Sequence, residues 1–375
     1  MRTAVAGLMM AVAVCGVAAV AVAWVYTSLL RRAALSTHVA PVRRNVLVTE
    51  VAEGLVGLRA IAGDEPLLAE PATTGIEWDG GWAQLGAPSG TRHGYALRPI
   101  ERREGSGPSP GTLVRLDPFV FPPDPATAHG VEFSDVVIDT PLGPAPAWQV
   151  AGASRTWLVA VHGKGAGRRE FLRLLPGVVG AGIPALVITY RNDPEALPDP
   201  CGQHRYGAGE WPDLEAAVAF ALANGAERVV LAGFSMGAAI SLAFLRQSPL
   251  ARQVAGLVFD SPMFALRDVV DRRAKRQRMP APLVAAGRAL AQWRFGLDWA
   301  ACDYRETAAS IALPLLLFHG DADTTVPVEC SDAAADAWRG PVTYHRAAGA
   351  GHVRSWNMAP EAYEQAVVAF LRPLA

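Results

Sequence analysis

The pentapeptide Gly233-Phe234-Ser235-Met236-Gly237 constrains this chain more than any other stretch. The run Arg228-Val229-Val230-Leu231-Ala232 enters it and a small-residue stretch from Met236 to Phe244 leaves it, which predicts a strand, a tight turn and a helix. Glycines two residues to either side of Ser235 let strand and helix pass close together, and they force the serine onto a strained corner with its hydroxyl outward. The helix starts directly behind it. Its free N–H groups and positive dipole end therefore face any negative charge that develops beside that hydroxyl. A glycine-flanked serine alone is only a turn; the strand before it and the helix after it give the pattern chemical meaning.

The surroundings extend the same architecture. From Thr156 onward, buried-strand runs alternate with amphipathic stretches, as in a parallel sheet covered on both faces. Strands are expected at 156–162, 184–190, 228–234, 254–260, 314–319 and 342–346, and helices near 167–179, 211–224, 236–247, 328–338 and 360–372. Residues 133–151 add two alternating strands around Thr140-Pro141-Leu142-Gly143-Pro144. Between the strands at 254–260 and 314–319 lies an insertion, 264–312. Its first part carries Arg267, Arg272, Arg273, Lys275, Arg276 and Arg278, and its second is apolar with Trp293 and Trp299. The charge run reads either as a solvated helix face or as a cap that touches anionic headgroups.

A serine hydroxyl attacks a carbonyl at neutral pH only when a base takes its proton. His352, in Ala348-Gly349-Ala350-Gly351-His352, is the candidate base. The carboxylate that would orient its ring is to be found among Asp260, Asp321 and Asp323. His319 reads as a structural hydrogen-bonding residue. The segment from Tyr190 to Trp211, with His204 and Tyr206, is placed near the expected mouth, although Trp211 to Glu215 can equally be a plain helix start.

Serine, acid and histidine follow one another in that order, and His319 to Pro327 matches H-G-x-x-D-x-x-V-P residue for residue. From about Phe133 to the C-terminus the chain resembles the α/β-hydrolases. The resemblance implies a mostly parallel eight-stranded sheet with helices on both faces, the 264–312 segment being a cap. It selects Asp323 as the acid beside Ser235 and His352, with Asp321 bracing the turn and Asp260 as the alternative. It also assigns the oxyanion donors to the backbone amides of Met236 and Lys164, the latter in His162-Gly163-Lys164-Gly165. A serine hydrolase acting on esters through an acyl-enzyme follows, with small or lipid-like esters as substrates and no metal or organic cofactor. A thioesterase or peptidase of the same fold, or a catalytically silent binding protein, are the alternatives.

The first 130 residues lie outside the resemblance. No charge occurs from Thr3 to Leu30, and Arg31 and Arg32 close the run. A secretory apolar core is about 7–15 residues and a spanning helix about 20. Residues 1–32 are therefore expected to anchor the chain in the cell membrane in a single pass. The alternative is a cleaved signal peptide and a secreted protein, since Ala21-Val22-Ala23 resembles a cleavage site. Arg31, Arg32, Arg43 and Arg44 against Arg2 favour a cytoplasmic catalytic domain. Residues 33–130 comprise a linker and a β-rich region at about 45–125, with hairpins expected near Glu53 and Gly80. That region either covers the active-site mouth or extends the main sheet. The formal charge of −1 argues against nucleic acid as a partner. The four cysteines lack metal-ligand spacing, and in an oxidising compartment Cys302 and Cys330 would be a pair to test.

Overall fold

The computed structural model describes residues 21–38, 43–61, 63 and 65–375. Seven short strands come first: β1 (Val46–Ala52), β2 (Leu55–Ala60), β3 (Thr74–Trp78), β4 (Gly81–Leu85), β5 (Gly90–Arg92), β6 (Tyr95–Gly105) and β7 (Leu113–Asp117). They pair in the order β2-β1-β7-β3-β4-β6-β5, and a further pairing of β2 with β6 closes six of them into an antiparallel barrel. Closure removes the exposed edges that so small a sheet would otherwise carry. Glu53 and Gly54 make the first hairpin with φ 52° and 77°, the left-handed pair that suits the twist of two adjoining strands. Val46, Val48, Val56, Leu58, Ile76 and Leu85 fill the interior. The barrel shares no strand pair with the main sheet, so the reading of this region as an extension of that sheet is corrected.

One cation is buried with the barrel. Arg98 is 0% exposed and donates to the carbonyls of Leu67, Leu68, Glu70, Ala72 and Gly86 at 2.7–3.2 Å. Burial, with Arg354 nearby, pulls its pKa down to about 10. Satisfying the guanidinium with carbonyls fixes the loop at 67–72.

The main sheet has eight strands: β8 (Phe133–Thr140), β9 (Gly143–Val150), β10 (Thr156–Val161), β11 (Ala185–Ile188), β12 (Arg228–Phe234), β13 (Val254–Asp260), β14 (Leu315–Gly320) and β15 (Val342–Ala347). Their order is β15-β14-β13-β12-β10-β11-β9-β8, antiparallel only at the β8–β9–β11 end. Strands β10, β11, β13 and β14 are buried along their whole length, which is why they read as unbroken apolar runs. Helices Trp211–Ala223 and Met236–Gln247 pack within one apolar cluster, and Pro360–Leu371 within the other. The single helix expected at 167–179 is instead a 3-10 helix, Arg168–Arg173, and a short α-helix, Leu175–Gly180. Pro176 has no N–H with which to continue the first into the second.

The insertion is built on two helices, Leu266–Arg276 and Ala281–Phe295, and its neck is drawn together by a bridge between Ala265 and Asp303. Leu266, Val270 and Ala274, spaced by four, bury one stripe of the first helix. Its cations are neither simply solvated nor all free for headgroups. Arg272 donates to the Asp323 carbonyl at 3.2 Å and pairs with Glu329, Arg276 donates to the Thr324 carbonyl at 3.0 Å, and Arg267 pairs with Asp271. Cys302 and Cys330 are free thiols turned to different partners, the Arg205 carbonyl and Asp268, so no disulfide joins them.

The expected anchor lies mostly outside the described residues, which begin at Ala21. Residues 21–30 form a helix, followed by a π-helical turn, Arg31–Leu35. Among the described residues no helix is long and apolar enough to cross a membrane. Ala23, Thr27 and Leu30 are buried against protein, while Val22, Val25 and Leu29 are exposed. Arg294 from the second cap helix stacks over Trp24 at 3.5 Å and donates to its carbonyl. Residues 23–32 of the expected anchor pack on protein, and the part before Ala21 lies outside the described residues. From Ala23 onward the chain belongs to the folded body, because its apolar stripe is spent on the cap.

Candidate active site

Strand β12 delivers the chain to Ser235, whose φ of 50° and ψ of −110° lie outside the regions favoured by L-residues. The flanking glycines are there for space. A Cβ on Gly237 would lie 1.9 Å from the Val161 carbonyl oxygen, and one on Gly233 2.6 Å from the Ala238 nitrogen. No side chain fits either position, so the elbow requires both.

At this corner three of the expected residues come together. The Ser235 hydroxyl lies 2.8 Å from His352 Nε2, and His352 Nδ1 lies 2.6 Å from Asp323 Oδ2. Asp323 is 1% exposed and heavily tied down: its Oδ1 accepts the N–H groups of Thr325 and Val326, and its Oδ2 also faces His319 Nε2 at 3.2 Å. Burial alone would raise its pKa, but hydrogen bonds from His319 and His352 outweigh that and hold it well below the usual carboxylate range. His319, itself anchored on Ser331 at 2.7 Å, is a structural partner of the acid. Asp321 lies apart and accepts the Gly349 N–H at 2.7 Å, bracing the turn before the histidine.

Asp260 does not meet His352. It is buried beneath the same loop and hydrogen-bonds to Ser261 and Ser355 at 3.0 and 3.1 Å, while Ser261 Oγ accepts the Val353 N–H. Burial pushes its pKa up to about 6, against the opposing pull of Arg173 and the two serines. Between the model-compound value of 3.8 and about 6, the folded state holds a proton that the unfolded chain has released. Stability is therefore lost as pH rises through that window, by about 3 kcal/mol for a shift of this size. Asp260→Asn removes the penalty. Relative to the parent, urea unfolding should show the variant gaining about 3 kcal/mol between pH 4 and pH 8. A difference that does not change with pH would refute the assignment.

The second expected donor sits where it can serve the same corner. A Cβ built on Gly163 would lie 3.4 Å from Ser235 Cβ, so the turn His162-Gly163-Lys164 abuts the serine. Among the described residues neither the Lys164 nor the Met236 amide has an acceptor in the protein. Sequence reasoning missed what holds this turn. Glu170, 4% exposed, accepts the Gly163 N–H at 2.6 Å, and His162 bridges the Gly163 carbonyl and Asp193 at 2.8 Å each. Burial lowers the His162 pKa, yet Asp193 and the Gly163 carbonyl leave it raised overall. Glu170 carries no motif; its nearness to Gly163 depends on the 3-10 helix, which the apolar pattern concealed.

The corner opens into a cleft of about 400 Å³ lined by Ser235 and His352 together with Phe119, Met263, Val270 and Val326. Phe119 follows the last barrel strand, so the barrel side does reach the mouth. Across the Lys164–Ala166 turn lies a larger, more polar cleft of about 800 Å³, lined by Asp193, Glu195 and His204 from the 190–211 segment. Tyr206 from that segment lines the serine cleft. Trp211 starts a helix, and its Asp213 is buried in an ion pair with Arg191 at 2.7 Å. Among the described residues no group of acids, histidines and cysteines could hold a metal ion.

No family model matches the sequence, and no significant match occurs among curated proteins. Solved structures do resemble it. An esterase of Pyrococcus furiosus superposes with a TM-score of 0.54 at 23% identity, covering 68% of this chain and 94% of its own. The fold is that of the α/β-hydrolases. A second crystal form of the same esterase gives 0.53 at 22% identity, covering 68% of this chain and 97% of its own. DcsB, solved with its substrate analogue, gives 0.50 at 17% identity, covering 64% and 99%. In the α/β-hydrolase frame Ser235 occupies the strand-to-helix corner, and the loops carrying Asp323 and His352 follow β14 and β15.

Proposed function

We propose that this chain is a serine hydrolase that cleaves carboxylic-ester bonds. The observation that carries the reading is the continuous relay Asp323–His352–Ser235 opening into an apolar cleft. His352 Nε2 takes the proton of Ser235 as its oxygen attacks the ester carbonyl. Asp323, ionised, holds the ring in the tautomer with Nδ1 protonated and stabilises the imidazolium that forms. The Met236 and Lys164 amides receive the charge on the carbonyl oxygen. Collapse of the tetrahedral intermediate passes the proton from His352 to the departing alcohol and leaves the acyl group on Ser235. Water, activated by the same histidine, releases the acid. Each of these steps uses groups of this chain alone.

Fluorophosphonate labelling tests the reading directly. One probe per chain, attached at Ser235, is the expected result; a chain left unlabelled by short and long probes alike would overturn it. The uncharged stretch from Thr3 supports a further part of the proposal, membrane attachment through the residues before Ala23. A carbonate-washed membrane pellet should retain the full-length protein, and a soluble product beginning at Trp24 would instead establish cleavage.

A further inference from the structure

The serine cleft is completed by a part of the chain far from the motifs. Leu30, Ala33 and Ala34 line it together with Met263, Val270 and Val326, and none of the three carries a charge. We propose that the segment 30–34 is the wall that limits the length of the acyl group the cleft accepts. This rests on the ester-hydrolase reading and adds to it the element that sets chain-length specificity.

The segment is held as a wall and not as a loose tail. Tyr206 Oη donates to the Ala34 carbonyl at 2.7 Å, and the His204 N–H donates to the Leu35 carbonyl at 2.8 Å. Leu35 is fully buried in the main apolar cluster. Lys164 Nζ donates to the Ala33 carbonyl at 3.2 Å, so the residue proposed as the second oxyanion donor also grips the wall. Further back, Arg294 holds the Trp24 carbonyl and the Ser28 hydroxyl, and Arg31 stacks over Phe295 at 5.6 Å. The Tyr26 ring rests on Gly287, where a Cβ would come within 2.6 Å of it. These contacts fix the depth of the cleft before any substrate arrives. Cleavage after Ala23 would leave all of these contacts in place, so the inference holds whether the preceding residues are retained or removed.

An acyl chain gains about fourfold in binding for each methylene buried, and loses that gain once the wall stops it. Leu30→Ala deepens the cleft, and Ala33→Trp fills it from an exposed position that does not endanger the fold. The test measures kcat/KM for p-nitrophenyl esters from acetyl to dodecanoyl in the full chain. Reading the ratio of long to short esters removes any general loss of folding or turnover. Leu30→Ala should raise the ratio at the longest chain by about tenfold, and Ala33→Trp should lower the octanoyl-to-acetyl ratio by at least about tenfold. Ratios within about twofold of the parent in both variants would overturn the wall. A parent that hydrolyses none of the esters and is unlabelled by fluorophosphonates would overturn the hydrolase reading itself, and the wall with it.

Discussion

Ser235→Ala should lower ester turnover by about 10⁶-fold and abolish fluorophosphonate labelling, the loss seen when the nucleophile of a serine protease is removed alone. The size of the effect follows from the arrangement of the corner. Without the hydroxyl, His352 has no oxygen to deprotonate, and the two amides can stabilise only the slow attack of water. The fold should survive. Ser235 sits at φ 50° because β12 and the following helix pass each other there, and alanine meets the same backbone strain. Only the hydrogen bond to His352 is lost, so stability should change by no more than about 1 kcal/mol. Circular dichroism and a melt check this arm. Labelling that persists in a folded variant would mean that another nucleophile does the work.

Asp323→Asn is the second large effect, about 10⁴-fold in kcat. The geometry says how. Oδ1 of Asp323 accepts two backbone N–H groups, so an asparagine keeps its carbonyl oxygen there and turns its NH₂ towards His352 and His319. That NH₂ donates to His352 Nδ1, which must then be the unprotonated nitrogen. Nε2 carries the hydrogen and can no longer accept the proton of Ser235. Asp260→Asn, at a carboxylate that bonds Ser261 and Ser355 and does not meet His352, should cost less than about tenfold. Steady-state kinetics of the two variants side by side decide the matter; the reverse order of effects would move the acid from Asp323 to Asp260.

What could be read from the sequence divides along a physical line. Strands β12 and β13 are found at their expected bounds, because buried parallel strands are continuous apolar runs between turn signals. Ser235 and Asp323 follow the ends of such strands, whereas β15, which precedes His352, alternates half-buried and exposed residues and is not such a run. Contacts that depend on distant pairing were not legible. Closure of the barrel by β2 on β6 leaves no local mark, and neither does the grip of Arg272 and Arg276 on the turn that carries Asp323. The end of the apolar stretch, from Ala23 to Leu30, could not be assigned for a different reason. An apolar helix looks the same whether its neighbour is lipid or a cap of similar polarity, and only the position of Arg294 distinguishes the two.

The loop that Arg98 holds reaches beyond the barrel. Glu70 pairs with Arg354 at 2.9 Å, and Asn357 donates to the carbonyls of Thr73 and Pro118, both on the barrel side. Arg354 and Asn357 directly follow His352 in the chain. Removing the residues before about 130 would therefore take away the partners of Arg354 and Asn357 in the loop that carries His352. The barrel and the main-sheet body are consequently not interchangeable parts.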